Sequence, residues 1–70
     1  MSENLEHITI SFCEQNGSVI MTYDINKNLP ALIPNVGDVV NIDDKFRAVS
    51  EKAFTYGTQT LVVTIYLEEL

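Results

Sequence analysis

The feature that most constrains the fold is the period-two pattern from Thr60 to Leu67, in which every second residue is a large aliphatic one. Successive side chains of a β-strand point to opposite faces of a sheet, so this pattern predicts a strand with one buried face. The residues expected to point inward are Leu61, Val63, Ile65 and Leu67. The residues expected to point outward are Thr60, Val62, Thr64, Tyr66 and Glu68.

Two further strands are predicted near the amino terminus. Residues 8–13 alternate in the same way, with Ile8, Ile10 and Phe12 on one side. The Asn16-Gly17 pair that follows is a strong hairpin signal, because its residues tolerate the positive φ that tight turns require. A returning strand over residues 19–25 would place four residues on one face: Val19, Met21, Tyr23 and Ile25.

Residues 26–38 interrupt the strand pattern. Pro30 and Pro34 restrict the residues before them, and Gly37 closes the segment. The segment is nevertheless apolar, with Leu29, Leu32 and neighbouring residues that a solvated linker would lack. We therefore expect part of it to lie across an open edge or end of the sheet.

The third and fourth strands are predicted over residues 39–42 and from Phe46 onward, with Asp43, Asp44 and Lys45 in a tight turn between them. In the fourth strand we expect Phe46 and Ala48 to point one way and Arg47 and Val49 the other. The alternation then slips, and a bulge near residues 50–52 would explain the change of phase. Residues 56–59 form the last predicted turn.

These elements predict one all-β domain over residues 1–70. The expected architecture is a five-stranded antiparallel meander, curled into a small barrel of the Src-homology type or left as a strongly twisted sheet. An open sheet of this size would expose two edges and an apolar face, which invites association. A homodimer or higher oligomer is therefore the expected alternative to closure.

Length and cysteine content limit how such a domain is stabilised. A chain of 70 residues is close to the lower limit for an independent core, and its single cysteine, Cys13, excludes an internal disulfide. We interpret Cys13 as a buried thiol, with an intermolecular bridge as the alternative. The polar, acidic start of the chain does not resemble a secretion signal, and no apolar stretch could span a bilayer. We expect a cytoplasmic protein without a membrane partner.

The charge of the chain argues against nucleic-acid binding. Ten acidic residues face four basic ones, a formal net charge of −6. The basic residues are Lys27, Lys45, Arg47 and Lys52. So few cations would neutralise few phosphates, and polyanions would be repelled. The acidity indicates either solubility or a surface for a basic protein partner.

No residue pattern indicates catalysis or a cofactor. His7 is the only histidine, and it lies about 20 Å from Cys13 along an extended strand, too far for a nucleophile and base pair. Asp38, Asp43 and Asp44 do not have the spacing of a calcium loop, and turns favour aspartate at such positions. The isolated glycines match no phosphate-binding loop. We therefore expect no enzyme, no metal and no cofactor.

One part of the chain resembles a known group of proteins. Residues 34–40 read Pro-Asn-Val-Gly-Asp-Val-Val, residues 42–49 read Ile-Asp-Asp-Lys-Phe-Arg-Ala-Val, and the final strand contains residues 63–68. This combination resembles small uncharacterised β proteins of phages, prophages and bacterial mobile elements. The resemblance covers about half of the chain, supports the fold more than the role, and implies a phage-encoded protein.

Three function classes remain open. The first is a non-enzymatic protein-binding module, such as a phage inhibitor that docks on a host nucleic-acid-binding or defence protein. The second is a structural subunit of a phage particle or another homo-oligomeric assembly, and the third is a protein that sequesters a small molecule. For the first, charge would steer the encounter and tyrosines would anchor it. The candidate binding residues are Asp24, Asp43, Asp44, Glu51, Tyr56, Tyr66, Glu68 and Glu69.

Overall fold

A computed structural model of the protein describes residues 7–25 and 33–70. Five strands in these ranges form a single sheet with the order β2-β1-β5-β4-β3. The strands are β1 (His7–Cys13), β2 (Val19–Ile25), β3 (Val39–Ile42), β4 (Lys45–Tyr56) and β5 (Thr60–Glu69). The all-β class and the position of each predicted strand are confirmed. The described ranges contain no helix long and apolar enough to cross a membrane.

The sheet is mixed, so the prediction of an antiparallel meander was wrong in part. β3, β4 and β5 do form a meander, and β1 and β2 form a hairpin, but β1 and β5 lie side by side in parallel. Both kinds of pair show the same period-two alternation, which is why the pattern could not reveal the direction. The chain passes from β2 at one edge to β3 at the other, and β5 then enters beside β1. The sheet curls into a half-barrel.

The central core cluster lies on one face of this half-barrel, which we call the core face. Its fully buried members include Val63, Ile65 and Leu67 from β5, as the alternation predicted. Ile10 and Phe12 of β1 complete the centre of the cluster together with Val49. Residues that pack around this centre are Ile20, Ile25, Ile33, Val40, Ile42 and Leu61.

Ile33 is the part of the long connection that reaches the core. It is partly buried and packs against the central cluster. The rest of the segment expected to lie across the sheet, residues 26–32, falls outside the described residues. Just after Ile33 the chain makes a turn in which Gly37 has φ of 98° and the Asp38 amide donates to the Asn35 carbonyl. That pattern is a type II turn, in which glycine accommodates the positive φ.

Two hairpin turns determine which side chains of the adjoining strands face the core. Between β1 and β2 only Gly17 has a positive φ, 94°, and its amide donates to the Glu14 carbonyl. The Asn-Gly signal thus marked the hairpin correctly. Between β3 and β4 both Asp43 and Asp44 are left-handed, with φ of 54° and 64°. This is the type I′ geometry of a two-residue turn between Ile42 and Lys45.

The β3–β4 turn determines which side of β4 faces the core, and the predicted grouping of Phe46 with Ala48 and of Arg47 with Val49 is confirmed. Lys45 pairs with the core residue Ile42, so Phe46 turns outward and is 57% exposed, whereas Val49 is buried. A large aromatic looks like a core residue by type, but the short turn fixes its side of the sheet.

The predicted bulge in β4 is confirmed. The register with β5 shifts between Val49 and Glu51, which leaves Ser50 as the additional residue. The Ser50 hydroxyl donates to the Tyr66 carbonyl over 3.2 Å, and it accepts from Gln15 Nε2 at 2.6 Å. The bulge is therefore held by hydrogen bonds from the first hairpin turn and to β5.

A second bulge alters β2. The register with β1 shifts so that Phe12 pairs with Met21 while Cys13 pairs with Val19. Ile20 consequently packs toward the core and Val19 is exposed, which reverses the predicted placement of these two residues. Met21, Tyr23 and Ile25 lie on the core face as predicted, because their partners in β1 do.

Candidate functional site

Charge is divided between the two faces of the sheet. The core face carries three cations of β4. Each pairs with a residue of the core cluster: Lys45 with Ile42, Arg47 with Val40 and Lys52 with Ile65. The opposite face, which we call the outer face, carries Asp24, Glu51 and Glu68. Within residues 7–25 and 33–70, no lysine or arginine lies on the outer face. That face is thus acidic.

The two lysines of the core face contact groups of their own chain. Lys52 Nζ donates to Asn35 Oδ1 over 2.7 Å and lies 5.6 Å from the centroid of the Phe54 ring. Lys45 Nζ lies 3.6 Å from Glu69 Oε1, at the surface. Glu69 is also the strand partner of Arg47. Glu69 therefore places a carboxylate beside Lys45 and Arg47.

Apolar side chains border the acidic residues of the outer face on the side of β3. Val39 pairs with Ala48, and Phe46 is the diagonal neighbour of Val39 across the same pair of strands. Val39 and Phe46 are 54% and 57% exposed. Ala48 in turn lies opposite Glu68 of β5. Apolar and acidic side chains therefore form one continuous surface.

Tyr66 and Glu51 extend this surface across β5. They are directly paired, because the bulge at Ser50 restores Glu51 to the outer face after Val49 has turned inward. Tyr66 is half-buried and Glu51 is exposed. We call the whole surface the outer patch, and its members are Val39, Phe46, Ala48, Glu51, Tyr66 and Glu68.

The structure brings three of the predicted binding residues together in the outer patch, namely Glu51, Tyr66 and Glu68. Asp24 also lies on the outer face but on β2, at the opposite side of the sheet, where it accepts a hydrogen bond of 2.8 Å from Thr9 Oγ1. Tyr56, which pairs with Leu61, and Glu69 lie on the core face instead. Asp43 and Asp44 occupy the β3–β4 turn.

Sequence reasoning missed Phe46 and Val39 as surface residues. The signal that could have identified Phe46 is the Asp43-Asp44 turn: two residues that tolerate positive φ predict a two-residue type I′ loop. Given that loop, Lys45 must face the same side as Ile42, and Phe46 the other side. The phase of Val39 follows from the same turn, because Ile42 and Val40 alternate with it.

The remaining candidate groups form no reactive constellation. His7 and Cys13 occupy opposite ends of β1. Cys13 is buried, and its Sγ lies 3.5 Å from Ser11 Oγ. The described part of the chain contains no group of three histidine, cysteine or acidic residues able to hold a metal ion.

A groove lies at the end of the sheet near the first hairpin turn. Its volume is about 500 Å³, and its charged lining residues are Glu14, Lys45, Arg47, Glu68 and Glu69. Charges of both signs thus face an open space, next to the Gln15 side chain. The lining does not define one class of ligand.

The fold and the outer patch together define a small all-β protein with a half-barrel sheet and one acidic face. Comparisons with protein-family models, with curated proteins and with solved structures found no match to this chain.

Proposed function

We propose that this chain is a non-enzymatic protein-binding module whose outer patch docks on a basic protein surface. The observation that carries the proposal is the exposure of Phe46 and Val39 beside Glu51 and Glu68, on a face whose described residues include no lysine or arginine. Aromatic residues near the centre of an interface supply most of its binding energy. Charges at the rim steer the encounter and select the partner.

The class of partner follows from the charge. A protein that binds nucleic acid does so through a surface rich in lysine and arginine. Such a basic surface on the partner would complement the acidic outer face of this chain. Docking there would exclude nucleic acid by occupancy, without any chemical step. A phage-encoded protein, which the resemblance implies, would have a host protein as its target in this mode of action.

The test is affinity purification from the cells in which the gene is expressed, with a charge-reversal variant of the outer patch. We expect the wild-type protein to capture proteins with basic surfaces, and E51K/E68K to lose them. The matched control is E14K/E69K, which changes the net charge equally but alters residues away from the outer patch. Loss of capture in both variants would show a dependence on net charge alone and would contradict the proposal.

A purified partner permits two sharper measurements. Binding should weaken as salt rises, because surface charges are screened. Amide chemical-shift changes on binding should concentrate at the outer patch, around Phe46 and Tyr66. Shifts confined to the core-face groove that Lys45 and Arg47 line would refute docking by the outer patch.

A further inference from the structure

The edge at β2 differs from the other open edges of the sheet. β3 is only four residues long, and Asp38 and Asp43 lie directly beside its ends. The half of β4 that extends beyond β3 carries Glu51 and Lys52 after a bulge. Short length, charges and bulges are the devices by which proteins protect an edge strand from pairing with another chain. Both of these edges are therefore protected.

β2 has weaker protection. It is a seven-residue strand whose one charged residue is Asp24, and its bulge at Ile20 lies next to the hairpin turn, so residues 21–25 keep a regular register with β1. The Asp24 carboxylate accepts a hydrogen bond from Thr9 Oγ1 on β1, so its side chain turns toward the sheet and away from the free edge. Within residues 7–25 and 33–70, β1 is the only strand that pairs with β2.

The side chains of β2 extend the core face up to this edge. Met21 and Tyr23 are 39% and 44% exposed, although both lie on the core face. The Tyr23 ring stacks on Phe12, with 6.2 Å between the ring centroids, so Tyr23 continues the buried cluster to the boundary of the sheet. A neighbouring strand would cover both residues.

We propose that β2 pairs antiparallel with β2 of a second copy of this chain, about a two-fold axis at Thr22. This inference goes beyond the proposed function, because it uses an edge and not the outer patch. Thr22 is the central residue of β2. An axis there places Tyr23 of each copy opposite Met21 of the other, and thioether sulfur packs well against aromatic rings.

The same register keeps like charges apart. Asp24 of each copy lies two positions from the axis, at the level where the bulge at Ile20 ends the regular part of the other β2, so no carboxylates meet across the axis. A two-fold interface must be self-complementary in this way. Each copy carries a net charge of −6, so two copies repel each other. The repulsion is small at β2, because each β2 strand carries only one charged residue. Pairing of a single strand buries little area, so we expect a concentration-dependent dimer.

The test measures the dimer dissociation constant of the full chain by sedimentation equilibrium. T22K places two ammonium groups face to face at the axis, and we expect it to weaken the dimer about tenfold or more. T22E should weaken it similarly. An equimolar mixture of T22K and T22E should recover a heterodimer, because opposite charges then meet.

The matched control is T58K, which makes the same substitution at an exposed residue in the turn after β4 and should leave the dimer unchanged. A wild-type chain that remains monomeric at several hundred micromolar would overturn the proposal. So would a dimer that T22K leaves intact, or a mixture that stays monomeric while circular dichroism shows both variants folded. Retention of partner capture by T22K would separate this result from the fate of the proposed function.

Discussion

The side-chain amide of Gln15 donates a 2.8 Å hydrogen bond to the backbone carbonyl of Leu67, a residue 52 positions further along the chain. The same Nε2 atom donates to Ser50 Oγ. One residue of the first hairpin turn therefore holds both the bulge of β4 and the end of β5. That bulge returns Glu51 to the outer face, so the position of Gln15 bears on the outer patch.

We predict that Q15A destabilises the fold by about 1–2 kcal/mol, because two hydrogen bonds to β4 and β5 are lost. Urea unfolding followed by circular dichroism measures the effect. Q59A makes the same truncation in the exposed turn after β4 and should change stability by less than about 0.5 kcal/mol. Equal stabilities of the two variants would show that the Gln15 hydrogen bonds contribute nothing.

The free energy of unfolding of two variants tests which side chains of β4 face the core. We predict that V49A costs about 2 kcal/mol, since Val49 is buried and truncation leaves a cavity. F46A should cost less than about 1 kcal/mol although it removes more atoms, because Phe46 is largely exposed. Denaturant unfolding of both variants decides between the phases: a larger loss from F46A would restore the inward position expected from residue type.

The left-handed conformation of the β3–β4 turn predicts that glycine is preferred over alanine at position 44. Asp44 has φ of 64°, a conformation that costs an ordinary L-residue about 1 kcal/mol or more. D44G should therefore be more stable than D44A by about 1 kcal/mol, in spite of the greater flexibility of glycine. The two variants have equal charge, so thermal unfolding isolates the backbone contribution. An alanine variant at least as stable as the glycine variant would contradict the left-handed assignment.

Cys13 offers a kinetic prediction. Its side chain is buried on β1 beside Ser11, so we expect a disulfide reagent to modify it only when the sheet opens. The rate should rise steeply with added urea. As a control, C13S/S18C carries the thiol at an exposed turn position and should react at once without denaturant. Equally fast reaction of the wild-type thiol would show that β1 is accessible.

Several parts of the fold could be predicted from the residues alone. The strands follow from alternation, as in the run from Leu61 to Leu67, and the bulge follows from a slip in that alternation. The parallel pairing of β1 with β5 could not be predicted, because alternation is identical in both directions of pairing. The positions of β2 and β3 at opposite edges of the sheet also could not be predicted, because they depend on which strands pair in three dimensions.

The outer patch was predictable only in part. Tyr66 and Glu68 were identified by their outward position and Glu51 by its charge, and the structure places the three together. Phe46 and Val39 were missed, because an aromatic or β-branched residue is assigned to the core unless turn geometry is considered first. The β3–β4 turn, which turns Phe46 outward, also places Arg47 on the core face. The separation of charge between the two faces therefore depends on the same turn.

The most direct test of the proposed function compares two phenylalanines on opposite faces. Phe46 and Phe54 are 57% and 47% exposed, and both lie on β4, but only Phe46 belongs to the outer patch. Isothermal titration calorimetry with the purified basic partner would measure the affinity of F46A and F54A. We predict at least about a tenfold loss for F46A and little change for F54A. A loss for F54A with F46A unaffected would contradict docking through the outer patch.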